Sequence, residues 1–181
     1  EEIVRGERIM IAKNNYHWTR QTPGVDFIAN GDMAVIEAIH GLEKRYGLRF
    51  ADVTLSLPDR DVRIDCKIIL DALVTDAPAL DSEKLMWLRD GVLADNGGSM
   101  LSPSAAVKEL RADPYFNALQ VKYAYAVTCH KAQGGQWKNV YVDLGYVPEE
   151  IPGMDFYRWL YTAVTRATGR LNLISPVIET R

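Results

Sequence analysis

The first part of the chain consists of short runs in which apolar and polar residues alternate. Two of them, "RFADVTLSL" at 49–57 and "VRIDCKIIL" at 62–70, are separated by the turn-like "PDRD". Because successive side chains of a strand point to opposite faces, this alternation predicts strands with one buried face. Earlier runs at 7–12 and 33–39 fit the same pattern, and we interpret the hydrophilic "HGLEKRYG" that follows as a connection. Strands this short and closely spaced predict a small barrel or sandwich.

The middle of the chain carries helix signals. Asp81 or Ser82 can cap a helix through "EKLMWLRDGVLADN", in which apolar residues recur at helical spacing. A second helix is predicted over "SPSAAVKEL", where Ser102 is suited to the cap and Pro103 to the first helical position. This stretch is therefore predicted to be helical, in contrast to the β-rich part before it.

In the last third of the chain, apolar and polar residues alternate again. Strands are predicted at 121–128 ("VKYAYAVT"), 139–145 ("NVYVDLG") and 170–175 ("RLNLIS"), with a helix over 154–168 ("MDFYRWLYTAVTRAT") before the last of them. Strands that alternate with a helix indicate an α/β arrangement. We therefore divide the chain into a β-rich part at 1–75, a helical segment at 76–120 and an α/β part at 121–181.

Composition limits the classes of protein that remain. The 181 residues are 48% hydrophobic and 25% charged, and the net charge of −3 provides no global basic field for nucleic acid. Two cysteines form no metal-site spacing, and no apolar run approaches the ~18 residues of a membrane span. We expect a cytoplasmic protein without a membrane partner. Since the sequence begins at Glu1 without Met, we also expect a fragment of a longer chain.

A dense polar cluster, "TCHKAQGGQ" at 128–136, follows the first predicted strand of the α/β part. Backbone N–H groups at such a strand end, the charge of Lys131 and the switchable donor of His130 suit a phosphate, from a nucleotide or a nucleic-acid backbone. The alternative is an ordinary polar loop with a solvated lysine. Cys129 beside His130 does not make a nucleophile pair, because neighbouring strand residues point to opposite faces, and we expect Cys129 to be buried.

Arg166 is the second candidate for a charged site residue. It lies in "LYTAVTRAT" on the predicted helix, where its planar guanidinium could reach a phosphate across a cleft. The alternative is a surface charge. For the aromatic residues of this helix, Tyr157, Trp159 and Tyr161, we expect a place in the core. His17 and Trp18 could stack on bases, although packing of Trp18 on the barrel is the favoured interpretation.

Taken together, the two stretches resemble a known family. "YAYAVTCHKAQGGQW" resembles motif V of superfamily 1 helicases, and "LYTAVTRA" resembles motif VI, in the right order and at a plausible distance. "GERIMIAKNNY" and "NGDMAVI" are similar to the segment that enters a small SH3-like insertion in the RecD-like and Dda-like branch, which is related to the UvrD-like helicases. The resemblance implies the C-terminal portion of a RecA-like motor domain with an inserted SH3-like β-barrel and a helical segment.

The resemblance also implies roles for individual residues. Arg166 occupies the position of the arginine finger, which stabilises charge on the transferred γ-phosphoryl group. Gly134 and Gln136 occupy nucleotide-binding positions, the glutamine near the ribose. Thr128 and His130, and less firmly Lys131, fall where the family contacts the backbone of single-stranded DNA. ATP and Mg²⁺ are the implied cofactors of the full-length protein, whose implied work is in DNA repair or recombination.

Two motifs of such a motor are missing from the sequence. No G-x-x-x-x-G-K-[ST] loop occurs, and no Asp-Glu pair follows an apolar strand. We therefore expect this chain to need an N-terminal RecA-like motor domain as its partner and to be inactive as an ATPase alone. The alternative function is a standalone module that binds nucleic acid or protein and has no ATPase activity.

Overall fold

The computed structural model describes residues 3–20, 22, 24–144 and 153–174. It divides the chain into two compact units, residues 1–125 and residues 126–181. Together they give a mixed α/β architecture, with a closed barrel and helices in the first unit and a parallel sheet in the second. The predicted α/β class with a small β-barrel is thereby confirmed.

Five strands close the barrel of the first unit in chain order. They are β1 (Arg8–Ile11), β2 (Met33–Arg45), β3 (Leu48–Leu57), β4 (Val62–Ile69) and β5 (Leu119–Tyr123). Neighbours are antiparallel except for β4 and β5, which run parallel. The first and last strands also pair, so that Ile9 lies opposite Tyr123 and the sheet has closed on itself.

The alternation seen in the sequence determines which side chains fill the barrel. Along β3 every second residue is fully buried, including Val53, Leu55 and Leu57, whereas Thr54 and Ser56 between them are half-buried. Ile9 and Ile36 from β1 and β2 complete the same core with no measurable exposure. Removing such side chains from water, at roughly 25 cal/mol per Å² of apolar surface, is the main force that holds the strands together.

Strand β2 is longer than the sequence pattern indicated. The stretch "HGLEKRYG" was interpreted as a connection, but β2 continues through Arg45 and turns only at Tyr46, whose backbone φ is +52°. The distal part of β2 pairs with β3 while Leu42 remains 66% exposed. Its alternation is weak because this end of the hairpin extends beyond the barrel core. Strand β5, in turn, ends at Tyr123, five residues before the predicted strand end at Thr128.

Three α-helices lie between β4 and β5: α1 (Asp71–Val74), α2 (Ser82–Asp95) and α3 (Pro103–Ala112). Of the two predicted caps for α2, Asp81 is the one used, and its carboxylate accepts from the amide of Lys84 at 2.8 Å. Ser102 caps α3 as predicted, with Pro103 in the first turn. Leu88 and Val92 of α2 pack with Phe50 into a second apolar cluster beside the barrel.

The second unit is a strand–helix–strand element. Strand β6 (Trp137–Asp143) and strand β7 (Ala167–Ile174) are parallel, and helix α4 (Gly153–Val164) lies between them in the chain. The predicted ends of the two strands at Gly145 and Ser175 lie outside the described residues. Val142 of β6 and Ala163 of α4 are buried. Within the described ranges, no helix has the length and apolar character needed to cross a membrane.

Candidate functional site

The polar cluster forms a compact set of turns between Thr128 and β6. The amides of Lys131 and Ala132 both donate to the carbonyl of Thr128, at 3.0 and 3.1 Å, and the amide of Gly135 donates to the carbonyl of Ala132 at 3.2 Å. Gly134 ends the winding with a positive φ of +84°. The buried methyl group of Ala132 anchors the turn while polar residues surround it. We name residues 128–135 the polar turn.

The polar turn presents its candidate DNA-binding residues to solvent. Thr128 and His130 are exposed, and Lys131 between His130 and the buried Ala132 is half-buried. Of the nucleotide candidates, Gly134 and Gln136 are also exposed and lie on either side of Gly135, at the end that leads into β6. The two groups of candidates therefore lie at opposite ends of one short segment.

Cys129 is packed into the polar turn and is not an activated nucleophile. Its half-buried Sγ atom donates to the carbonyl of Trp159 on α4 at 3.5 Å. Burial raises the pKa of the Cys129 thiol, and the nearby positive charge of Arg166 offsets only part of that effect. Since the thiolate is the reactive form, a raised pKa keeps this side chain inert at neutral pH. This agrees with the expected packing role.

Arg166 lies just after the end of α4, and each of its three guanidinium nitrogens donates a hydrogen bond. Nε donates to the carbonyl of Thr162 at 3.0 Å, Nη1 to the carbonyl of Gly135 at 3.1 Å and Nη2 to the hydroxyl of Thr165 at 3.2 Å. The side chain is half-buried. Arg166 is therefore held by the protein at every nitrogen, which the surface-charge alternative does not account for.

The bond between Arg166 and Gly135 brings the two predicted motifs together. A second bond reinforces it, since the amide of Trp137 donates to the carbonyl of Arg166 at 2.9 Å. Arg166 thus contacts the segment around Gly134 and Gln136 through both its backbone and its side chain. The structure brings these three candidates into one cluster, whereas the side chains of Thr128 and His130 point to solvent at the far end of the polar turn.

Two residues of this cluster, Gly135 and Thr165, were not among the candidates. Gly135 supplies the carbonyl for Arg166 and has no room for a side chain, since an added Cβ would lie 2.2 Å from the ring of Trp137. Thr165 supplies the hydroxyl. The adjacent Gly-Gly and Thr-Arg pairs were visible in the sequence, but only the fold shows that the two pairs meet.

The aromatic residues of α4 do not all lie in a core. Tyr157 and Tyr161 are 66% and 70% exposed, so the prediction that they pack inside was wrong. Trp159 is half-buried and stacks with Phe156 at 6.0 Å between ring centres. Spacing of four residues placed the two tyrosines on one helix face, but α4 is covered within this unit only along the line of Ala163.

In the first unit, Trp18 packs against the barrel core and donates from Nε1 to the carbonyl of Asn117 at 2.8 Å. The neighbouring ring nitrogen of His17 lies 3.1 Å from the carbonyl of Arg111. Both side chains thus fasten the loop after β1 to the segment around α3. This agrees with the packing interpretation rather than with base stacking.

Comparison with known families places the site in context. Residues 123–174 match the UvrD-like helicase C-terminal domain, and the match contains both the polar turn and Arg166. Comparison with curated proteins gave no match. The matched range is the part of the chain in which the sequence resembles motifs V and VI. The predicted resemblance to the C-terminal part of a superfamily 1 helicase is thereby confirmed for residues 123–174, which match this UvrD-like family.

Proposed function

We propose that this chain is the C-terminal part of an ATP-dependent DNA helicase that couples ATP hydrolysis to movement along single-stranded DNA. The observation that carries the proposal is the 3.1 Å bond from Arg166 Nη1 to the carbonyl of Gly135. It ties the residue proposed to act on ATP to the turn proposed to contact DNA. ATP with Mg²⁺ is the cofactor of the full-length protein in this proposal.

On the nucleotide side, Arg166 acts as the arginine finger. Its guanidinium is always charged and planar, which suits it to two oxygens of a phosphate. In the hydrolysis step, the charge of the guanidinium stabilises negative charge that develops on the transferred γ-phosphoryl group. Gly134 and Gln136 flank Gly135, the residue whose carbonyl holds Arg166. In this proposal Gly134 allows the backbone to approach the nucleotide and Gln136 offers an amide to the ribose.

On the DNA side, Thr128, His130 and Lys131 contact the phosphate backbone of the single strand. The exposure of Thr128 and His130 supports this assignment, since hydroxyl and imidazole groups commonly bind phosphate oxygens. Two backbone hydrogen bonds, from the amide of Ala132 to the carbonyl of Thr128 and from the amide of Gly135 to the carbonyl of Ala132, run the length of the polar turn. A change at the DNA end therefore has a short path to the carbonyl that holds Arg166.

The partner is an N-terminal RecA-like motor domain that supplies the phosphate-binding loop and the Mg²⁺ ligands. Two observations support this. The 181 residues contain no G-x-x-x-x-G-K-[ST] motif. Parallel sheets are normally covered on both faces, yet Tyr141 of β6 and Ile174 of β7 are 67% and 45% exposed. We expect the chain alone to bind ATP weakly and not to hydrolyse it.

The test is the variant Arg166→Ala in the full-length protein. DNA-stimulated ATP turnover is expected to fall by at least roughly a hundredfold, because fingers of this kind contribute about 10³–10⁵ in rate. Affinity for single-stranded DNA without nucleotide is expected to stay within about twofold. Arg170→Ala, which removes an exposed cation from β7, is the matched control and should leave turnover unchanged.

Unchanged turnover in Arg166→Ala would reject the finger assignment. If the full-length protein shows no ATPase activity under any DNA condition, the alternative function as a binding module replaces the helicase proposal. DNA affinity that falls as steeply as turnover would instead assign Arg166 to the DNA side of the site.

A further inference from the structure

The hydrogen bonds of Arg166 go beyond the assignment of a finger, because they show how its guanidinium is oriented. We propose that Thr165 is a positioning residue which, with the carbonyl of Gly135, locks the guanidinium so that its two remaining N–H groups face the phosphate. The inference rests on the proposed function for the identity of the phosphate. The lock itself is visible in the chain alone.

A count of donors defines the arrangement. A guanidinium has five N–H groups, one on Nε and two on each terminal nitrogen. Within the described residues, the acceptors are the carbonyl of Thr162 for Nε, the carbonyl of Gly135 for Nη1 and the hydroxyl of Thr165 for Nη2. One N–H on each terminal nitrogen is left over. Two such groups in one plane match two oxygens of a phosphate.

The hydroxyl of Thr165 is itself fixed. As a donor it lies 2.8 Å from the carbonyl of Tyr161 and 3.2 Å from that of Thr162, in the last turn of α4. Because the hydroxyl proton is engaged there, the oxygen presents lone pairs to Nη2 of Arg166. A β-branched residue has few χ1 rotamers, so the acceptor does not move away. Thr165 therefore holds the guanidinium from the helix side.

Gly135 holds the guanidinium from the opposite side. Its carbonyl accepts from Nη1, and its backbone packs so closely on Trp137 that the position of the carbonyl is set by the start of β6. The side chain thus spans a gap between helix α4 and the polar turn. An arginine fixed in this way loses little rotamer freedom when a phosphate binds, and such preorganised donors stabilise a transition state most effectively.

The hydroxyl can be removed without a change of shape. In the full-length protein, Thr165→Val is expected to lower kcat for ATP hydrolysis by roughly tenfold, equivalent to one strong hydrogen bond. KM for ATP should stay within about twofold, because the lost orientation affects the transition state more than the ground state. Thr165→Ser keeps the oxygen and should restore kcat. Thr168→Val, at an exposed position of β7, is the matched control.

A spectroscopic readout tests the lock without ATP. In ¹⁵N-edited NMR spectra of the 181-residue chain, a guanidinium held at all three nitrogens should give separate Nη1 and Nη2 signals. These signals are assigned by their loss in Arg166→Lys. In Thr165→Val they should merge through faster rotation about the Nε–Cζ bond, and in Thr165→Ser they should stay apart.

The outcomes separate the two proposals. If Arg166→Ala stops turnover but Thr165→Val does not change kcat or the Nη signals, the positioning inference is wrong and the finger remains. If Arg166→Ala leaves turnover unchanged, the proposed function fails, whatever the NMR spectra show. If Thr165→Ser is as slow as Thr165→Val, the methyl packing and not the hydroxyl is responsible, which also overturns the inference.

Discussion

The ammonium group of Lys67 lies 4.6 Å from the ring centre of Tyr115, with only 6% of the lysine side chain exposed. Lys67 also pairs with Asp52 at 2.8 Å and with Glu43, whose other oxygen accepts from the Tyr115 hydroxyl at 2.9 Å. Burial alone lowers the pKa of Lys67, but the two carboxylates outweigh it and the pKa is raised overall. One charged side chain thus joins three barrel strands to the segment that precedes β5.

Lys67→Met should destabilise the first unit. The apolar side chain fills the space but leaves two carboxylates next to each other without their cation, and we expect a loss of about 2 kcal/mol in the free energy of unfolding. Urea denaturation measures it. Lys44→Met, at an exposed position of β2, is the control and should change stability by less than about 0.5 kcal/mol. Equal losses in both variants would contradict the network.

The same network predicts how stability depends on pH. The hydrogen bond from Lys67, together with that from Tyr115, lowers the pKa of Glu43 despite its partial burial. The folded carboxyl group therefore binds a proton less readily than the unfolded one. Its contribution to stability is present above the ordinary glutamate range and is lost as pH falls through the lowered pKa. Urea midpoints between about pH 3 and pH 6 should show this slope, and Glu43→Gln should reduce it.

Gly91→Ala should destabilise the protein, although replacing a glycine inside a helix by alanine usually stabilises it. In a helix interior, alanine is about 1 kcal/mol better than glycine. In α2, however, an added Cβ would lie 2.4 Å from the ring of Tyr46, so we expect a loss of about 1–2 kcal/mol. In a Tyr46→Ala background the ring is gone, and the same change should stabilise the protein. Thermal melts of the four variants form a double-mutant cycle, and purely additive effects would disprove the contact.

If the proposed function holds, Thr128→Ala combined with His130→Ala should weaken binding of single-stranded DNA by the full-length protein by roughly tenfold. The double variant should also reduce the stimulation of ATP hydrolysis by DNA. Fluorescence anisotropy with a labelled oligonucleotide measures the affinity. Lys131→Ala should also make DNA binding less dependent on salt: the slope of the logarithm of the binding constant against the logarithm of the salt concentration should fall by about one unit. Unaltered affinity and stimulation in the double variant would remove the polar turn from the DNA path.

Gly135→Ala should act on Arg166 through Trp137. The new methyl group has no space beside the indole, so that either the ring or the Gly135 carbonyl must move. We expect a shifted tryptophan emission spectrum together with a fall in kcat of roughly tenfold, because the acceptor of Nη1 is displaced. A normal emission spectrum with normal turnover would show that the turn adapts without disturbing Arg166.

The sequence predicted the elements whose pattern reflects burial. Strands β3 and β4 have one face in the barrel core, so the alternation of apolar and polar residues in the sequence was enough to predict them. Ser102 and Pro103 correctly predicted the start of α3. The continuation of β2 to Arg45 was missed, because Leu42 and its neighbours bury neither face and no alternation results. The alternation of apolar and polar residues arises from burial of one strand face, so a strand that buries neither face cannot be recognised from it.

The candidate site was predictable as residue types but not as an arrangement. The motif resemblance predicted that Arg166, Gly134 and Gln136 belong to one nucleotide site, and in the structure Arg166 donates to the carbonyl of Gly135, which lies between the other two. The resemblance did not identify the acceptors of the guanidinium, because the carbonyl of Gly135 and the hydroxyl of Thr165 meet only when β6 pairs with β7. The sequence also did not show that Tyr157 and Tyr161 are exposed. The spacing of apolar residues indicates which face of a helix is apolar, but not whether another element packs against that face.

The pairing of β1 with β5 has a consequence for synthesis of the protein. Strands β2, β3 and β4 form two consecutive hairpins, which can form as they leave the ribosome. The barrel closes only when β5 arrives after three helices and pairs with both β1 and β4. Because the closing contacts are the most distant in sequence, they carry the largest loop-closure entropy and form last. Until then the sheet edges at β1 and β4 have no partner strand, and unpaired edges of this kind are sites at which another chain can add a strand.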